Sequence, residues 1–326
     1  MNKIQTNMGK KILLVGCGNI GSRHLESLLK YEESLYIIII EPNSESKKSA
    51  KILISKNANK LKHNIIWMDS FGFEGNIDLA IIATSAINRI KIVQDLLYLG
   101  IKNFILEKMV CQSNYEYVQL INNINQFNAK AWINTNRRYF PLYQQIKNFI
   151  KNNNLKINVR SQNKGLGSNA LHFIDLFQWY LNSTEIKLNG DMLDDKIYSN
   201  KRGNDYVEFA GKISGQIENS SLEIFFSPSE NLPLTVEIIS DELHLIINEN
   251  YETIEKIIVP QNLDLKFKYM HVSDLTVDIV TDIFRNSECR LPSLNQLYVA
   301  HIELFRIFNL HIKKLTNKEP QNCPIT

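Results

Sequence analysis

The feature that most constrains this chain is a glycine-rich turn between an apolar strand and an amphipathic helix. The residues KILLV precede the turn GCGNIG, and the residues SRHLESLLK follow it. A continuous apolar run is typical of a parallel strand that is covered on both faces, and apolar letters at helical spacing predict a helix packed against the sheet. The order of strand, glycine turn and helix predicts the start of a βαβ unit.

The three glycines of the turn have different physical roles. Gly16 permits the tight turn, Gly18 lets the backbone approach a pyrophosphate, and Gly21 allows the helix to pack closely against the strand. The predicted helix begins at Ile20, directly after Asn19, so the N–H groups at its start and its dipole favour a bound anion at Asn19 and Ile20. The turn therefore predicts a dinucleotide site.

An acidic residue at the end of the second apolar run indicates which dinucleotide is bound. Glu41 lies about 20 residues beyond the turn, where a carboxylate accepts hydrogen bonds from the ribose hydroxyls and repels a 2′-phosphate. We therefore expect NAD, with NADP less favoured, although Lys47 or Lys48 nearby could weaken that preference.

The first part of the chain alternates between short apolar runs and helix-length segments, which predicts a doubly wound parallel sheet. The predicted strands are Lys11–Val15, Tyr36–Ile40, Asn64–Trp67, Leu79–Ala83, Asn103–Leu106 and Ala131–Asn134. The predicted helices are Ile20–Lys30, Glu45–Lys56, Arg89–Leu99 and Tyr115–Phe127.

The pattern changes beyond residue 135 to a β-rich stretch with polar turns, which predicts a mostly antiparallel, open sheet. The predicted helices of this part are Leu142–Lys151, Asn169–Leu181, Val272–Asn286 and Ser293–Leu315, and its strands are Lys156–Ser161, Tyr206–Ile213, Ser221–Ser227, Leu234–Ser240, Leu243–Asn248 and Thr253–Val259. We expect a loose tail after Thr316. The predicted fold is α/β, with a Rossmann domain at residues 1–135 and an α+β domain at residues 136–326.

Composition excludes several functional classes. The chain has 326 residues with 37 Lys and Arg against 34 Asp and Glu, and this balance supplies no field that would attract nucleic acid or a membrane. No apolar run reaches the length of a membrane span, and we expect a cytoplasmic protein. The four cysteines, Cys17, Cys111, Cys289 and Cys323, have no metal-ligand spacing, so we expect no metal site.

Parallel sheets bind ligands beyond the carboxyl ends of their strands, so polar residues directly after apolar runs are candidate site residues. Three such positions occur, and the candidates at them are Thr84 and Ser85, Glu107 and Lys108, and Arg137 and Arg138. Lys108 is placed to hold a carboxamide or a substrate hydroxyl, and a solvated loop lysine is the alternative interpretation. The two arginines are candidate contacts for an acidic substrate, as is Lys164, but surface salt bridges explain all three as well.

The apolar helix around residues 169–181 carries two ionisable residues on one face. His172 and Asp175 lie three positions apart, and burial of an imidazole and a carboxylate is costly unless they are paired or used. They are either a satisfied core pair or part of a catalytic site.

Together these segments resemble the Gfo/Idh/MocA family of sugar-type oxidoreductases. The similar segments, in order, are GCGNIGSRHL, IIATSAINR, Glu107-Lys108-Met109, NRRYFP from Asn136, His172-Phe-Ile-Asp175 and LPSLNQLYVAH. The resemblance implies hydride transfer between NAD(P) and a sugar hydroxyl or carbonyl, a sugar substrate, and a homo-oligomer that is a dimer or a tetramer.

The resemblance also implies residue roles. Lys108 would bind substrate and stabilise its oxygen, His172 would be the general acid or base, and Asp175 would orient His172 or the substrate. Ser168 and Asn169 would contact substrate. Met109 stands where the family has proline, and Ser168 stands where it has an aspartate, so the usual carboxylate is absent from that position.

Three functions follow from these expectations. The first is an NAD(P)-dependent oxidoreductase acting on a CH–OH group of a sugar or activated sugar, for which surface polysaccharide or nonulosonate biosynthesis is the expected setting. The second is a non-catalytic NAD-binding sensor or scaffold, which Ser168 favours. The third is an enzyme that uses tightly bound NAD for transient oxidation during isomerisation or elimination.

Overall fold

The computed structural model describes residues 9–73, 75–150, 154–162, 165–260, 263 and 265–326. They form two compact units. The first unit contains the described residues of Met1–Glu107, Asn122–Trp132 and His271–Arg290, and the second contains those of Lys108–Ile121, Ile133–Met270 and Leu291–Thr326. We predicted one boundary after residue 135, whereas these units are interleaved along the chain.

Strands and helices are numbered separately, each in chain order. The strands are β1 (Lys11–Val15), β2 (Tyr36–Ile40), β3 (Asn64–Met68), β4 (Leu79–Ile82), β5 (Asn103–Leu106), β6 (Lys130–Ile133), β7 (Lys156–Gln162), β8 (Lys187–Leu193), β9 (Tyr198–Ser199), β10 (Val207–Glu208), β11 (Gly211–Ile217), β12 (Ser220–Ser227), β13 (Thr235–Ile239), β14 (His244–Asn248) and β15 (Thr253–Ile258). The helices are α1 (Asn19–Leu28), α2 (Ser44–Ser55), α3 (Arg89–Tyr98), α4 (Asn114–Gln126), α5 (Pro141–Lys147), α6 (Leu166–Leu181), α7 (Val272–Asn286) and α8 (Leu294–Thr316).

The first unit is built on a six-stranded sheet of order β3-β2-β1-β4-β5-β6. The β1–β2, β1–β4, β2–β3 and β4–β5 pairs are parallel, and consecutive residues of the central strands are fully buried, including Ile12, Leu13 and Leu14. Burial on both faces explains the continuous apolar runs in the sequence. The order reverses beside β1, where parallel sheets bind dinucleotides. The predicted Rossmann topology is confirmed.

A helix distant in the sequence completes the first unit. The Val277 N–H of α7 donates to Ser27 Oγ of α1 at 2.9 Å, and Lys30 Nζ donates to Asp274 at 2.9 Å. The sequence correctly predicted α7 as a helix but assigned it to the second domain, because its amphipathic pattern does not specify the element against which it packs, which is α1.

The second unit contains a seven-stranded sheet of order β15-β14-β13-β7-β12-β11-β8. Its pairs are antiparallel except for β7 with β12, which is parallel. In β7 the buried residues Ile157 and Val159 alternate with the exposed residues Lys156 and Arg160, as expected for a sheet with one covered face. Helix α6 packs on β11 and β12. The predicted α/β class with a second, mostly antiparallel sheet is confirmed.

The structure differs from the sequence expectations at three places. The predicted strand Tyr206–Ile213 is divided into β10, which pairs with β9, and β11, which pairs with β12 and begins at Gly211 with a φ of +96°. Strand β8 was not predicted, since its sequence KLNGDML lacks clear alternation. The expected loose tail is instead ordered: the Cys323 N–H donates to the Gln112 carbonyl at 2.7 Å, the Val207 N–H donates to the Pro324 carbonyl at 2.8 Å, and Ile325 is fully buried. Within the described residues, no helix has the combination of length and apolarity that crossing a membrane requires.

Candidate functional site

The glycine turn of the first unit forms a cradle at the end of β1. Gly16 has a φ of +83°, which favours glycine, and its N–H donates to the Ile40 carbonyl at 2.9 Å. A Cβ at Gly21 would lie 2.0 Å from the Gly16 carbonyl oxygen, so glycine is required for the helix to approach the turn. A Cβ at Gly18 would have no neighbour within 4 Å, which leaves open space beside the turn.

The start of α1 is available to an anion. Gly18 is its N-cap residue and provides no side-chain hydrogen bond, and Asn19 and Ile20 form its first turn. Their N–H groups have no acceptor within the helix because the first turn of any α-helix leaves its donors unpaired. Open space and a first turn without a side-chain cap fit a pyrophosphate.

Glu41 lies directly after β2 and fixes the loops around it. Its Oε2 accepts the Cys17 N–H at 2.6 Å, and its Oε1 accepts the Asn43 N–H at 2.9 Å. A carboxylate has further lone pairs, so both oxygens retain capacity for ribose hydroxyls. Burial and the charge of Glu41 raise the pKa of Cys17 to about 12, so this loop thiol is protonated at neutral pH.

A pocket of about 980 Å³ is lined in part by Pro42, the residue after Glu41, and by Lys47, Lys51, Trp67 and Asp69. Lys51 Nζ lies 5.4 Å from the centre of the Trp67 ring, and Lys47 forms an ion pair with Asp69. Lys47, which the sequence offered as a cation that could weaken the NAD preference, is therefore already paired with a carboxylate.

The ends of β4 and β5 carry Thr84, Ser85 and Glu107, as predicted. Thr84 Oγ1 is buried and has no hydrogen-bond partner among the described residues, and such an orphaned hydroxyl fits a bound group. The Glu107 carboxylate pairs with His24 Nε2 at 3.0 Å, and His24 Nδ1 lies 2.8 Å from Thr276 Oγ1. Glu107 therefore also joins β5 to α1 and α7.

Arg89, at the start of α3, was not identified from the sequence. Its side chain is fully buried, and its guanidinium donates to the carbonyls of Thr84 and Glu107. It therefore connects the loops after β4 and β5. A buried arginine gives no periodic signal that distinguishes it from an exposed residue at a helix start.

A second group of candidates meets at the start of α6, in the second unit. Lys108 Nζ donates to the Ser168 carbonyl at 2.6 Å. The peptide bond between Lys108 and Met109 is cis. Ser168 and His172 are four residues apart on α6 and share one face of it. The structure thus brings three predicted residues together.

His172 is the candidate proton-transfer group of this cluster. Its Nδ1 is buried without a hydrogen-bond partner in the described part of the chain. Burial lowers the pKa of His172 well below its ordinary value, and the positive charges of Lys108 and Arg137 lower it further. The imidazole is therefore neutral at physiological pH and can accept a proton.

Asp175 does not share this environment. It is fully buried, its Oδ1 accepts Arg138 Nη2 at 2.6 Å, and its Oδ2 accepts the Thr135 hydroxyl at 2.7 Å. Burial raises the pKa of Asp175, while Arg138 and Thr135 stabilise its ionised form. The carboxylate thus pairs with Arg138, whereas the core-pair interpretation offered from the sequence had His172 as its partner.

The remaining predicted substrate contacts are engaged within the protein. Arg138 pairs with Asp175, and Arg137 forms a bidentate ion pair with Glu249 at 3.0 and 2.6 Å. Asn169 Nδ2 donates to the Gly165 carbonyl at 2.7 Å. Lys164 lies outside the described residues.

Glu208 of β10 is a carboxylate that sequence reasoning missed. Its Oε2 accepts the Ser168 N–H at 3.2 Å, and its Oε1 accepts the Ser168 hydroxyl. The available signal was a single acid within the apolar run Tyr206 to Ala210. Its contact with α6 depends on strand order and could not be read from that run.

No protein-family model and no curated protein matches the chain. Several solved structures are similar to it over nearly their whole lengths. The WlbA dehydrogenase from Bordetella pertussis, solved with NADH and UDP-GlcNAcA, has a TM-score of 0.68 and 15% identity, with 96% of each chain covered. A Gfo/Idh/MocA family oxidoreductase from Vibrio cholerae has a TM-score of 0.65 and 15% identity, with 95% of this chain and 100% of that chain covered. A myo-inositol dehydrogenase from Corynebacterium glutamicum has a TM-score of 0.63 and 15% identity, covering 91% and 95%. The chain therefore has the fold of these oxidoreductases.

Proposed function

We propose that this chain is an NAD-dependent oxidoreductase of the Gfo/Idh/MocA family that acts on a CH–OH or carbonyl group of a sugar or activated sugar. The observation that carries the proposal is the cluster at the start of α6, where the Lys108 ammonium and the neutral His172 imidazole flank Ser168. A neutral base can accept a hydroxyl proton, and a nearby cation stabilises the negative charge that then develops on the oxygen.

The residues of the first unit fit NAD. The pyrophosphate would lie against the first turn of α1 and the glycines Gly16, Gly18 and Gly21. Glu41 would bind the ribose hydroxyls, and the pocket at Trp67 would hold the adenine ring. Thr84, Ser85 and Glu107 would border the nicotinamide side. NAD supplies the hydride acceptor, or NADH the donor. NADP is disfavoured because a 2′-phosphate would meet the Glu41 carboxylate.

The protein's own residues would accept the proton of the substrate hydroxyl and stabilise the negative charge on the substrate oxygen. In the oxidation direction, His172 accepts the hydroxyl proton, because its neutral form predominates at physiological pH. Lys108 donates a hydrogen bond to the substrate oxygen and stabilises its developing negative charge. Asp175 acts as a positioning residue, since its bonds to Arg138 and Thr135 anchor the helix that carries His172.

The substrate class is a sugar or an activated sugar. The similar WlbA dehydrogenase was solved with a sugar nucleotide, which supports a role in surface polysaccharide or nonulosonate biosynthesis. Arg137 and Arg138 already have internal carboxylate partners, so their charges are not the basis of this proposal. The proposed assembly is a cytoplasmic homo-oligomer, a dimer or a tetramer, which light scattering would measure.

A cofactor-reduction screen tests the proposal. Purified protein is mixed with NAD and with UDP-GlcNAcA, other nucleotide sugars, free uronic acids or inositols, and absorbance at the NADH band is followed. We expect turnover of at least one sugar, and we expect Lys108→Ala and His172→Ala each to reduce turnover at least tenfold. NADH affinity should change less than threefold, and Lys156→Ala, an exposed change on β7, should behave as wild type.

Each alternative function gives a different result. NADH binding without turnover of any sugar would favour a sensor or scaffold. Conversion of a sugar without added cofactor, by protein that purifies with NADH, would indicate transient oxidation. Unchanged turnover in both the Lys108 and His172 variants would contradict the assigned roles.

A further inference from the structure

The first turn of α6 contains no acidic residue, yet a carboxylate reaches it from another element. Glu208, on β10, accepts both the N–H and the hydroxyl of Ser168, and the Gly167 N–H also bonds to it. Asn200 Nδ2 donates to Glu208 Oε1 at 3.1 Å. The helix start is therefore held by a charged side chain that the topology supplies.

Glu208 is enclosed by the protein. The residue is 6% exposed, and burial raises its pKa from 4.5 to about 7, while the amides of Ser168, Phe209 and Gly167 and the charge of Lys108 act in the opposite direction. Among the described residues, Lys108 supplies the charge that acts on this carboxylate, α6 supplies amides and the Ser168 hydroxyl, and Asn200, before β10, donates its side-chain amide. Its ionisation therefore changes near neutral pH.

Ser168 connects this carboxylate to the proposed reaction centre. Its N–H and hydroxyl bind Glu208, and its carbonyl accepts the Lys108 ammonium at 2.6 Å. His172 follows one helical turn later on the same face. A change of charge on Glu208 thus acts on Lys108 in two ways, through the position of Ser168 and through electrostatic attraction.

We infer that Glu208 is a positioning residue for the proposed reaction, which in its ionised form fixes Ser168 and thereby holds the Lys108 ammonium for the substrate oxygen. The inference rests on the proposed function. It assigns to β10 the carboxylate that is missing from the Ser168 position, and it makes the ionised form the active one. Oxidation should therefore accelerate as the pH rises through about 7.

A titration that needs no turnover tests the coupling directly. The protein is labelled with ¹³C at the glutamate carboxyl carbon, and the Glu208 signal is identified as the one absent from Glu208→Gln. We expect its midpoint near pH 7, and we expect Lys108→Met and Ser168→Ala each to move it to higher pH, since each change removes a group that stabilises the ionised form. A midpoint near 4.5 that Lys108→Met leaves unchanged would overturn the inference.

The pH profile of turnover tests the role, with the sugar that gives the highest rate in the screen. Glu208→Gln keeps the size and hydrogen-bonding capacity of the side chain but removes its charge. We expect kcat to fall at least tenfold with KM changed less than threefold, and the limb near pH 7 to disappear. Adding Ser168→Asp to Glu208→Gln should restore kcat to within threefold of wild type and move the limb to lower pH.

A purely structural role predicts a different outcome, in which Glu208→Gln lowers stability but leaves the pH profile in place. Glu223→Gln, at an exposed carboxylate of β12, is the matched control and should change neither property. If sugars are oxidised but the Glu208→Gln profile is that of wild type, the inference fails and the proposed function stands. If no sugar reacts, the proposed function fails, and the carboxyl titration alone decides whether Glu208 and Lys108 are coupled.

Discussion

At the scale of single residues, two glycines of the same turn differ in the space that a side chain at each position would have. The position of Gly21 is filled by backbone, since a Cβ there would lie 2.0 Å from the Gly16 carbonyl oxygen. The position of Gly18 is open, and its φ of −70° is accessible to any residue. Gly21 therefore serves the fold, and Gly18 serves the proposed ligand.

This contrast gives a prediction. Gly18→Ala should leave the melting temperature within about 1 °C of wild type but weaken NADH binding at least tenfold, because its methyl group would occupy the space proposed for the pyrophosphate. Gly21→Ala should lower the melting temperature by several degrees. Thermal denaturation and fluorescence titration with NADH measure the two effects. Wild-type NADH affinity in Gly18→Ala would contradict the assignment of the cradle.

At the scale of elements, the start of α3 connects the ends of two neighbouring strands. Arg89 is fully buried and donates to the carbonyls of Thr84, after β4, and Glu107, at the end of β5. Removal of these donors would take a charge-assisted hydrogen bond from each buried carbonyl, and such bonds contribute about 1.5–3 kcal/mol each. The arginine thus stabilises the loops proposed to border the nicotinamide.

We expect Arg89→Met, which retains most of the side-chain volume, to lower the free energy of unfolding by roughly 2–4 kcal/mol. Urea denaturation measures this change. Lys91→Met, on the same helix, is the matched control: it removes only an exposed i,i+4 pair with Asp95 and should cost no more than about 0.5 kcal/mol. Equal stability of the two variants would show that the buried bonds of Arg89 contribute little.

At the scale of the whole molecule, segments that lie far apart in the sequence belong to the same unit. The first unit takes α7, at Val272–Asn286, from near the end of the chain, and α7 bonds to α1 through Ser27 and through the His24–Thr276 pair. A ligand that stabilises the cradle should therefore stabilise this distant helix as part of the same unit.

Hydrogen exchange tests this prediction. NADH at 100 times its dissociation constant adds about 2.7 kcal/mol to stability, which would slow exchange about 100-fold wherever amides exchange by unfolding of the first unit. We expect protection of both α1 and α7, and no protection of β15, a strand of the second unit whose residues are mostly exposed. Protection of α1 without α7 would show that α7 opens independently.

Most of the first unit could be predicted from the sequence. The bounds of β1, β2, β5 and α7 agree with the prediction, because continuous apolar runs and helical spacing are local properties. The glycine turn and Glu41 are also local, since their separation along the chain follows from one βαβ unit. The interleaved bounds of the two units, the strand β8 and the ordered C-terminal segment could not be predicted, because they depend on information that local patterns lack.

The sequence by itself determined the elements, the glycine turn and the positions of Lys108 and His172, since each of these depends on spacing within one segment. Only the tertiary structure decided the partners: Asp175 pairs with Arg138 instead of His172, and Glu208 reaches Ser168 from another strand. The physical reason is that a buried charge must find a counter-charge or hydrogen bonds wherever the fold provides them. Strand order and helix packing set that neighbourhood, and neither is encoded in the separation of residues along the chain.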